Sequence, residues 1–227
     1  MLSFSCESTF EWRANGPQVG RRMNFSEKRL TVLDQICSAD GVRKRIIDTA
    51  SALYAKKGYA ATSIEEIAET AGVSLPVTYH YVKRKSEIMR MIMEDLLSSF
   101  QESLTSQIAS IHEPEEKLAA AMILYSKAVE RQKEKILLVY QKSGSLDADS
   151  KARIMQLEVE VSTIFSRIIQ EGIEKGVFEK VDVDLMAFNI IMMAHMWVLK
   201  KWHFHRRFDL NRYIDSQLLT LIKGLRK

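Results

Sequence analysis

The sequence contains little glycine, proline or cysteine. Nine glycines and three prolines stand among 227 residues, whereas the two together make up about 12% of an ordinary globular chain. A chain this poor in turn-forming residues is unsuited to the many tight turns of a β-sandwich or barrel, and long helices need few breakers. The composition therefore predicts an all-α fold.

Cysteine pairs and long apolar runs are also missing. Cys6 and Cys37 form neither a disulfide framework nor a C-x-x-C pair. The most apolar stretch, 187–199, is shorter than a membrane span and contains Asn189 and His195. The first thirty residues hold charged side chains and no apolar segment typical of a secretory signal. We therefore expect a soluble cytoplasmic protein without a membrane partner.

Positive charge is concentrated in one segment. The whole chain has a formal net charge of +4. Residues 41–90 contain nine basic and five acidic side chains, so this segment alone carries that excess. A compact basic module on a neutral remainder is typical of a protein that binds a polyanion. An ordinary solvated surface would also account for the charge alone.

Apolar residues recur at helical spacing along most of the chain. This periodicity predicts about nine helices and no strand, over 42–57, 63–71, 75–82, 86–111, 114–131, 133–142, 147–175, 182–204 and 210–225. We expect residues 1–40 to form an N-terminal extension that is partly disordered, with an extra helix over 26–39.

Residues 63–82 have the pattern of a helix-turn-helix. Ser63 and Glu66 predict a capping box on one short helix, and Ser74 predicts the cap of a second. Gly72 lies between the helices, where the turn needs a residue that tolerates a positive φ. The second helix would direct its N-terminal amides at phosphate, and the basic run 83–85 follows it.

The segment 43–90 contains a set of residues at fixed spacings: Ala50, Leu53, Tyr54, Gly58, Tyr59, Thr62, Ser63, Ile67, Ala68, Ala71, Gly72, Val73, Ser74, Tyr79, His80, Tyr81 and Lys85. Through this pattern the segment resembles the DNA-binding domain of the tetracycline-repressor (TetR) family. The resemblance implies a DNA-binding domain over 41–88 and a helical effector-binding and dimerisation domain over 89–227. It also implies a homodimer on a palindromic operator in double-stranded DNA.

The resemblance further implies which side chains face DNA. The predicted DNA-binding residues are Arg43, Thr62, Ser63, Ser74, Leu75, Pro76, Thr78, Tyr79, His80 and Lys85. Thr62, Ser63, Tyr79, His80 and Lys85 would contact phosphate, whereas the exposed face formed by Leu75, Pro76 and Thr78 would reach base edges. Thr78 and Val82 depart from the usual family residues, as does the Leu75-Pro76 pair, so apolar contact with thymine methyls is expected to contribute to base readout.

The rest of the chain is more loosely similar to family members that sense CoA thioesters, the regulators of fatty-acid and steroid-ring degradation. The similar segments are 138–146, 171–178 and 202–208. Methionines would give an adaptable apolar wall, and Trp202 with Arg206 would offer a ring and a cation to a nucleotide. Ordinary core packing and a basic surface are the alternatives. The predicted ligand-binding residues are Tyr140, Phe165, Met192, Met193, His195, Met196, Trp202 and Arg206.

Motifs of other functional classes are missing from the sequence. It contains no P-loop, no G-x-S-x-G and no G-x-G-x-x-G. His203 and His205 have no further ligands at metal spacing, so we expect no metal, no cofactor and no enzymatic activity. We predict a repressor released by a small-molecule effector, either an acyl-CoA thioester or another lipophilic acid. Two alternatives stay open: a drug-responsive repressor of an efflux pump, and a DNA-binding helical protein that has no effector and no cavity.

Overall fold

The computed structural model describes residues 38–226 and is all-helical in that range, as predicted. The helices are α1 (Ala39–Lys57), α2 (Ile64–Ala71), α3 (Leu75–Tyr81), α4 (Lys85–Ile108), α5 (Pro114–Arg131), α6 (Lys133–Lys142), α7 (Ala148–Glu174), α8 (Val183–Leu199), α9 (Lys201–Phe204) and α10 (Leu210–Leu225), with a 3₁₀ turn at Ser143–Ser145. None of these described helices is both long enough and apolar enough to cross a membrane. The predicted extension over 1–40 and its helix over 26–39 fall almost entirely outside the described residues.

The chain divides into two compact units, Met1–Gly41 and Val42–Lys227. In the described part of the first unit, the amide of Gly41 donates a hydrogen bond to Ser38 Oγ over 3.1 Å. Helix α1 begins at Ala39, three residues before the predicted start. A serine oxygen that accepts from a first-turn amide is a common way to begin a helix.

The predicted single helix over 182–204 is wrong, because the chain leaves helical geometry at Lys200, with φ −113° and ψ 35°. This break separates α8 from the one-turn helix α9. It allows Phe204 to meet Tyr213 of α10 edge to face, with ring centroids 4.9 Å apart. The break accounts for ten α-helices in the described residues where about nine were predicted.

Buried apolar side chains form two clusters that meet along α4. The head cluster joins α1, α2 and the α3 flanks to the first turns of α4 and to α7; its members include Ile46, Ile47, Tyr54, Ile67, Val82, Ile88, Ile92, Met93, Ile154 and Leu157. The body cluster fills the space between α4 and α10; its members include Leu96, Phe100, Tyr125, Ile136, Phe165, Phe178, Ile191, Trp197 and Tyr213. Helix α4 therefore belongs to both cores.

The turn after α7 is closed by tight packing on a glycine. The carbonyl of Gly172 accepts hydrogen bonds from the amides of Val177 and Phe178, at 2.9 and 3.0 Å. The Phe178 ring is buried and lies directly over Gly172, in the space that a Cβ at this position would occupy. This contact fixes the direction in which the chain approaches α8.

Candidate DNA interface and effector cavity

Helices α2 and α3 form the predicted helix-turn-helix. The amide of Glu66 donates to Ser63 Oγ over 3.1 Å, which is the predicted serine half of the capping box, whereas the Glu66 carboxylate pairs with Lys57. Gly72 follows α2 with φ 62°, in the left-handed region that the turn was predicted to require. The hydroxyl of Ser74 makes no capping hydrogen bond to α3, so that part of the prediction is wrong. Ser74 begins α3 through its backbone carbonyl, which accepts from the Thr78 amide at 2.9 Å.

The outer face of α3 combines apolar and polar side chains. Leu75, Pro76, Val77 and His80 are exposed there. Thr78 was predicted on this face, and that is wrong: its exposed fraction is 0%, and its hydroxyl donates to the carbonyl of Ser74. A residue buried against the head cluster cannot reach a base edge.

Two other side chains that were predicted to contact phosphate instead make hydrogen bonds to backbone carbonyls of the α1–α2 loop. Thr62 is buried, and its hydroxyl donates to the carbonyl of Gly58 over 2.9 Å, so its predicted phosphate contact is wrong. Lys85 Nζ donates to the carbonyls of Tyr59 and Ala60, at 2.6 and 3.3 Å. It also lies 4.6 Å from the centre of the Tyr59 ring. Burial lowers the pKa of Lys85, and these contacts make it a tether between α4 and the α1–α2 loop.

The hydroxyl of Tyr79 has a protein partner. It donates to Glu65 Oε1 of α2 over 2.8 Å, and this bond raises the pKa of Tyr79 and contributes to lowering that of Glu65. Ser63 and His80 are exposed. Their predicted phosphate contacts stay predictions. Lys83 and Arg84, which follow α3 in the chain, are exposed cations.

Arg43 of α1 lies against α4. Its guanidinium pairs with Glu94 over 3.4 Å, so a phosphate contact would have to break this ion pair. Next to it, Asp95 of α4 accepts from Lys44 of α1 at 3.1 Å and from Lys135 of α6 at 3.2 Å. A polar cleft of about 330 Å³ borders these groups. Charged rims and wide access to solvent make this cleft a surface groove rather than a site for an apolar ligand.

Two small apolar cavities lie where the head and body clusters meet. The larger holds about 190 Å³ and is lined by Met93, Leu96, Leu97, Phe100, Ile136, Val139, Tyr140, Ser143, Ile154, Glu158 and His195. The smaller cavity holds about 70 Å³. It shares Leu97, Tyr140, Glu158 and His195 with the larger cavity, and its other lining residues are Tyr125, Val161, Phe188, Ile191 and Met192. Tyr140, Glu158 and His195 border both spaces, which we call the two lobes of the candidate effector cavity.

His195 bridges two tyrosines across this effector cavity. Its Nε2 lies 2.9 Å from the Tyr125 hydroxyl, and its Nδ1 lies 2.8 Å from the Tyr140 hydroxyl. Burial lowers the pKa of His195 to about 4, so the imidazole is neutral at physiological pH. Burial likewise raises the pKa of Glu158, although its side chain is still reached by solvent at the cavity rim.

Only part of the predicted ligand set borders the effector cavity. Tyr140, His195 and Met192 do, and their part in ligand binding stays a prediction. The prediction is wrong for Phe165, which is fully buried in the body cluster, and for Met193 and Met196, which lie outside both linings. It is also wrong for Trp202 and Arg206, which project into solvent from α9 and its end; the exposed fraction of Trp202 is 71%. Trp197 takes the buried position and stacks on His205 with centroids 4.1 Å apart.

Sequence reasoning missed Tyr125 and Glu158. Tyr125 lies on the buried stripe of α5 with Leu118 and Met122, where a hydroxyl requires a partner. Glu158 lies four residues after Ile154 and three before Val161, so it lies beside the buried stripe of α7, although the residue itself is exposed. A polar group on an otherwise apolar stripe was the signal available for Tyr125, whereas Glu158 carried only its helical spacing from Ile154 and Val161.

Comparison with known proteins agrees with this architecture. The family described as "Bacterial regulatory proteins, tetR family" matches residues 46–92, and "Tetracyclin repressor-like, C-terminal domain" matches residues 112–203. The HTH-type transcriptional regulator HbdR of Aromatoleum sp. (strain CIB) is 30% identical over 181 residues, which cover 80% of this chain and 79% of HbdR. The repressor KstR2 of Rhodococcus jostii (strain RHA1) is 24% identical over 176 residues, covering 75% and 83%.

A solved structure of AibR in complex with isovaleryl coenzyme A and operator DNA has the same fold. Its TM-score is 0.66 at 22% identity, with 80% of this chain and 98% of AibR covered. A helix-turn-helix carried on an all-helical body defines a DNA-binding transcriptional regulator. The chain belongs to the TetR family of bacterial regulators.

Proposed function

We propose that this chain is a homodimeric repressor that a small lipophilic effector, in the first place an acyl-CoA thioester, releases from a palindromic operator. Helix α4 is the observation that carries the proposal. Its first residue, Lys85, is hydrogen-bonded to the α1–α2 loop of the head. Two turns further on, Met93 and Leu96 line the effector cavity. A ligand that displaces this wall would therefore displace the attachment of the head.

The DNA-binding surface is supported by the exposed face of α3 and the cations after it. Leu75 and Val77 offer apolar contacts for thymine methyls, and His80 offers a ring nitrogen to phosphate or a base edge. Lys83 and Arg84 add charge that would neutralise phosphates. Two such heads would enter successive major grooves about one helical turn apart.

The homodimer is supported by exposed apolar side chains on the outer faces of α7 and α8. Met155 is 65% exposed and Leu185 is 61% exposed, and Val159, Phe188 and Met192 are exposed between them. The two helices run antiparallel, since Ser166 contacts Asp184 at one end and Glu158 borders the same lobe as Met192 at the other. Exposed apolar side chains grouped on two neighbouring helices favour an interaction surface.

A matched pair of substitutions tests the dimer. Val159→Glu is expected to convert the protein to monomers and abolish binding to an inverted repeat, because it buries a charge in the interface. Leu219→Glu changes an equally exposed leucine on α10 and is expected to leave both properties unchanged. Sedimentation velocity measures the first property. Monomeric wild-type protein, or identical behaviour of the two variants, would contradict the proposed interface.

The acyl-CoA class is supported by the apolar lining of the effector cavity and by the relatives. AibR was solved with isovaleryl coenzyme A and operator DNA, and KstR2 is named a repressor. A cavity is not expected of a helical DNA-binding protein that lacks an effector. The basic and aromatic groups around Trp202 lie outside the cavity lining and do not contribute to this support.

One observation favours a second candidate, a drug-responsive repressor of an efflux pump. Glu158 borders both lobes of the effector cavity and could pair with a cationic drug. The presence of an acid beside aromatic side chains is the chemistry that recognises such cations.

Release from DNA decides between the two effector classes. A duplex selected from a random library would be labelled, and its complex with the chain followed by fluorescence anisotropy. We expect acyl-CoA thioesters to raise the apparent Kd, typically 5–150-fold for a coupling of 1–3 kcal/mol. CoA alone, free fatty acids and ethidium are the comparison compounds. Release by ethidium alone would favour the drug-responsive candidate, and a complex insensitive to every compound would contradict effector control.

A further inference from the structure

The polar groups of the effector cavity form one hydrogen-bonded chain, Tyr125–His195–Tyr140. A neutral imidazole has one N–H and one lone pair, so one tyrosine accepts from His195 and the other donates to it. If Nδ1 donates to Tyr140, the Tyr140 hydroxyl keeps its proton for a further partner. If Nδ1 accepts from Tyr140, the phenol oxygen keeps its lone pairs free.

Tyr140 is therefore the end of this series of hydrogen bonds that a ligand can reach. It borders both lobes and is 43% exposed, and Met192 Sδ, a weak acceptor, lies 3.6 Å from its hydroxyl. A ligand hydroxyl can donate or accept, so it fits either arrangement of the chain. Tyr125, at the other end, is buried among Phe100 and Phe165, with ring centroids 5.2 and 5.6 Å away.

The charge of the effector cavity disfavours an anionic group. Among the described lining residues there is no lysine or arginine, and Glu158 is the only acid. A ligand carboxylate would lose its water without gaining a cation and would lie near a second carboxyl group. His195 does not supply the missing charge, because burial keeps it neutral.

The volume of the effector cavity limits the size of what it encloses. Its lobes hold about 190 and 70 Å³, and a cavity of about 150 Å³ is sufficient for benzene. One six-membered ring or a chain of about six carbons fits these lobes. A long fatty acyl chain or a fused four-ring system does not.

Building on the proposed function, we infer that the effector cavity selects a compact, uncharged acyl group that carries a hydroxyl, and that Tyr140 recognises this hydroxyl. The thioester and nucleotide would lie outside the lobes. Hydrogen bonding at Tyr140 sets the preference for a hydroxyl group, and the carboxyl group of Glu158 disfavours ligand carboxylates. The walls of the effector cavity limit the length of the acyl group.

A matched ligand series tests this selection by calorimetry on the full chain. The ligands are hexanoyl-CoA, 3-hydroxyhexanoyl-CoA, 6-hydroxyhexanoyl-CoA, adipoyl-CoA and palmitoyl-CoA. We expect one of the hydroxylated thioesters to bind about tenfold more tightly than hexanoyl-CoA. Adipoyl-CoA, with a terminal carboxylate, and palmitoyl-CoA are expected to bind more weakly than hexanoyl-CoA.

Variants assign the recognition to particular atoms. Tyr140→Phe is expected to weaken binding of the hydroxylated thioester about tenfold more than binding of hexanoyl-CoA. Tyr213→Phe, which removes a hydroxyl bonded to the Met193 carbonyl over 2.7 Å outside the cavity, is the matched control and is expected to change neither affinity. Glu158→Gln is expected to strengthen adipoyl-CoA binding. Thermal unfolding confirms that each variant is folded.

The outcomes separate this inference from the proposed function. If palmitoyl-CoA or adipoyl-CoA binds tightly and releases the protein from DNA, the proposed acyl-CoA repressor is supported, but the proposed selection for a compact hydroxylated acyl group is overturned. Equal loss of hexanoyl-CoA and hydroxylated ligands in Tyr140→Phe would also overturn it. If none of the five thioesters binds, the acyl-CoA effector itself is contradicted.

Discussion

The contact between Gly172 and the Phe178 ring gives the sharpest prediction for stability. The backbone of Gly172 is helical, so alanine at this position would gain up to about 1 kcal/mol from helix propensity. Its Cβ, however, would overlap the Phe178 ring, which is 1% exposed and has no room to withdraw. The overlap decides the sign, and we expect Gly172→Ala to be destabilising.

Overpacking of a buried site costs about 1–3 kcal/mol. In a domain of this size a loss of 1 kcal/mol lowers Tm by about 2–4 °C, so Gly172→Ala is expected to lower Tm by roughly 2–12 °C. Gly224→Ala is the matched control, because Gly224 lies in α10 with open space around its would-be Cβ. That substitution is expected to leave Tm unchanged or raise it slightly.

Differential scanning calorimetry on both variants and on the double variant Gly172→Ala/Phe178→Leu measures the effect. Because the smaller leucine relieves the overlap, the double variant should be more stable than the sum of its single changes predicts, by about 1 kcal/mol. A Gly172→Ala protein as stable as the wild type, or strictly additive changes, would refute this packing.

Two further predictions concern charged residues at the head. Arg84→Ala should reduce the slope of log K for DNA binding against log salt concentration by the equivalent of about one phosphate contact. Lys85→Met should weaken DNA binding without changing that slope, because the ammonium group of Lys85 tethers the α1–α2 loop. Equal slopes in the two variants would contradict these roles. Although burial alone would raise the pKa of Asp95, its bonds to Lys44 and Lys135 hold that pKa below its ordinary value. A carboxyl group whose pKa is lowered by folding stabilises the fold at pH values above its unfolded-state pKa, which is about 4. This stabilisation is lost as the pH falls through the folded-state pKa. In urea unfolding, Asp95→Asn should therefore lose about 1–3 kcal/mol at pH 7 and progressively less below pH 4, relative to the exposed control Asp215→Asn; a pH-independent difference would refute this.

Much of the fold followed from the sequence, because helices show their period and their breakers locally. The positions of Gly72 and Ser63 were predicted from backbone and capping requirements that involve only nearby residues. The break at Lys200 was not predicted; it is accompanied by the contact of Phe204 with Tyr213 of α10, which no local pattern shows. The long stretch 182–204 has no glycine or proline to mark it.

The candidate sites were less predictable than the helices. Thr78 and Thr62 are polar and occupy motif positions next to DNA, yet both hydroxyls satisfy backbone carbonyls within the head. Trp202 was placed in the ligand site by its type and its basic neighbours, but only the three-dimensional turn at α9 decides that it faces solvent. Residue type indicates which contacts are possible, and tertiary packing determines which are made.

The central claim is that one chain couples an operator-binding head to an effector cavity through α4. Footprinting on a selected duplex, before and after saturation with a thioester whose binding calorimetry has established, tests it most directly. The predicted result is an inverted repeat that is protected by the free protein and exposed again once the ligand is bound. Protection that persists at full ligand occupancy would contradict the coupling.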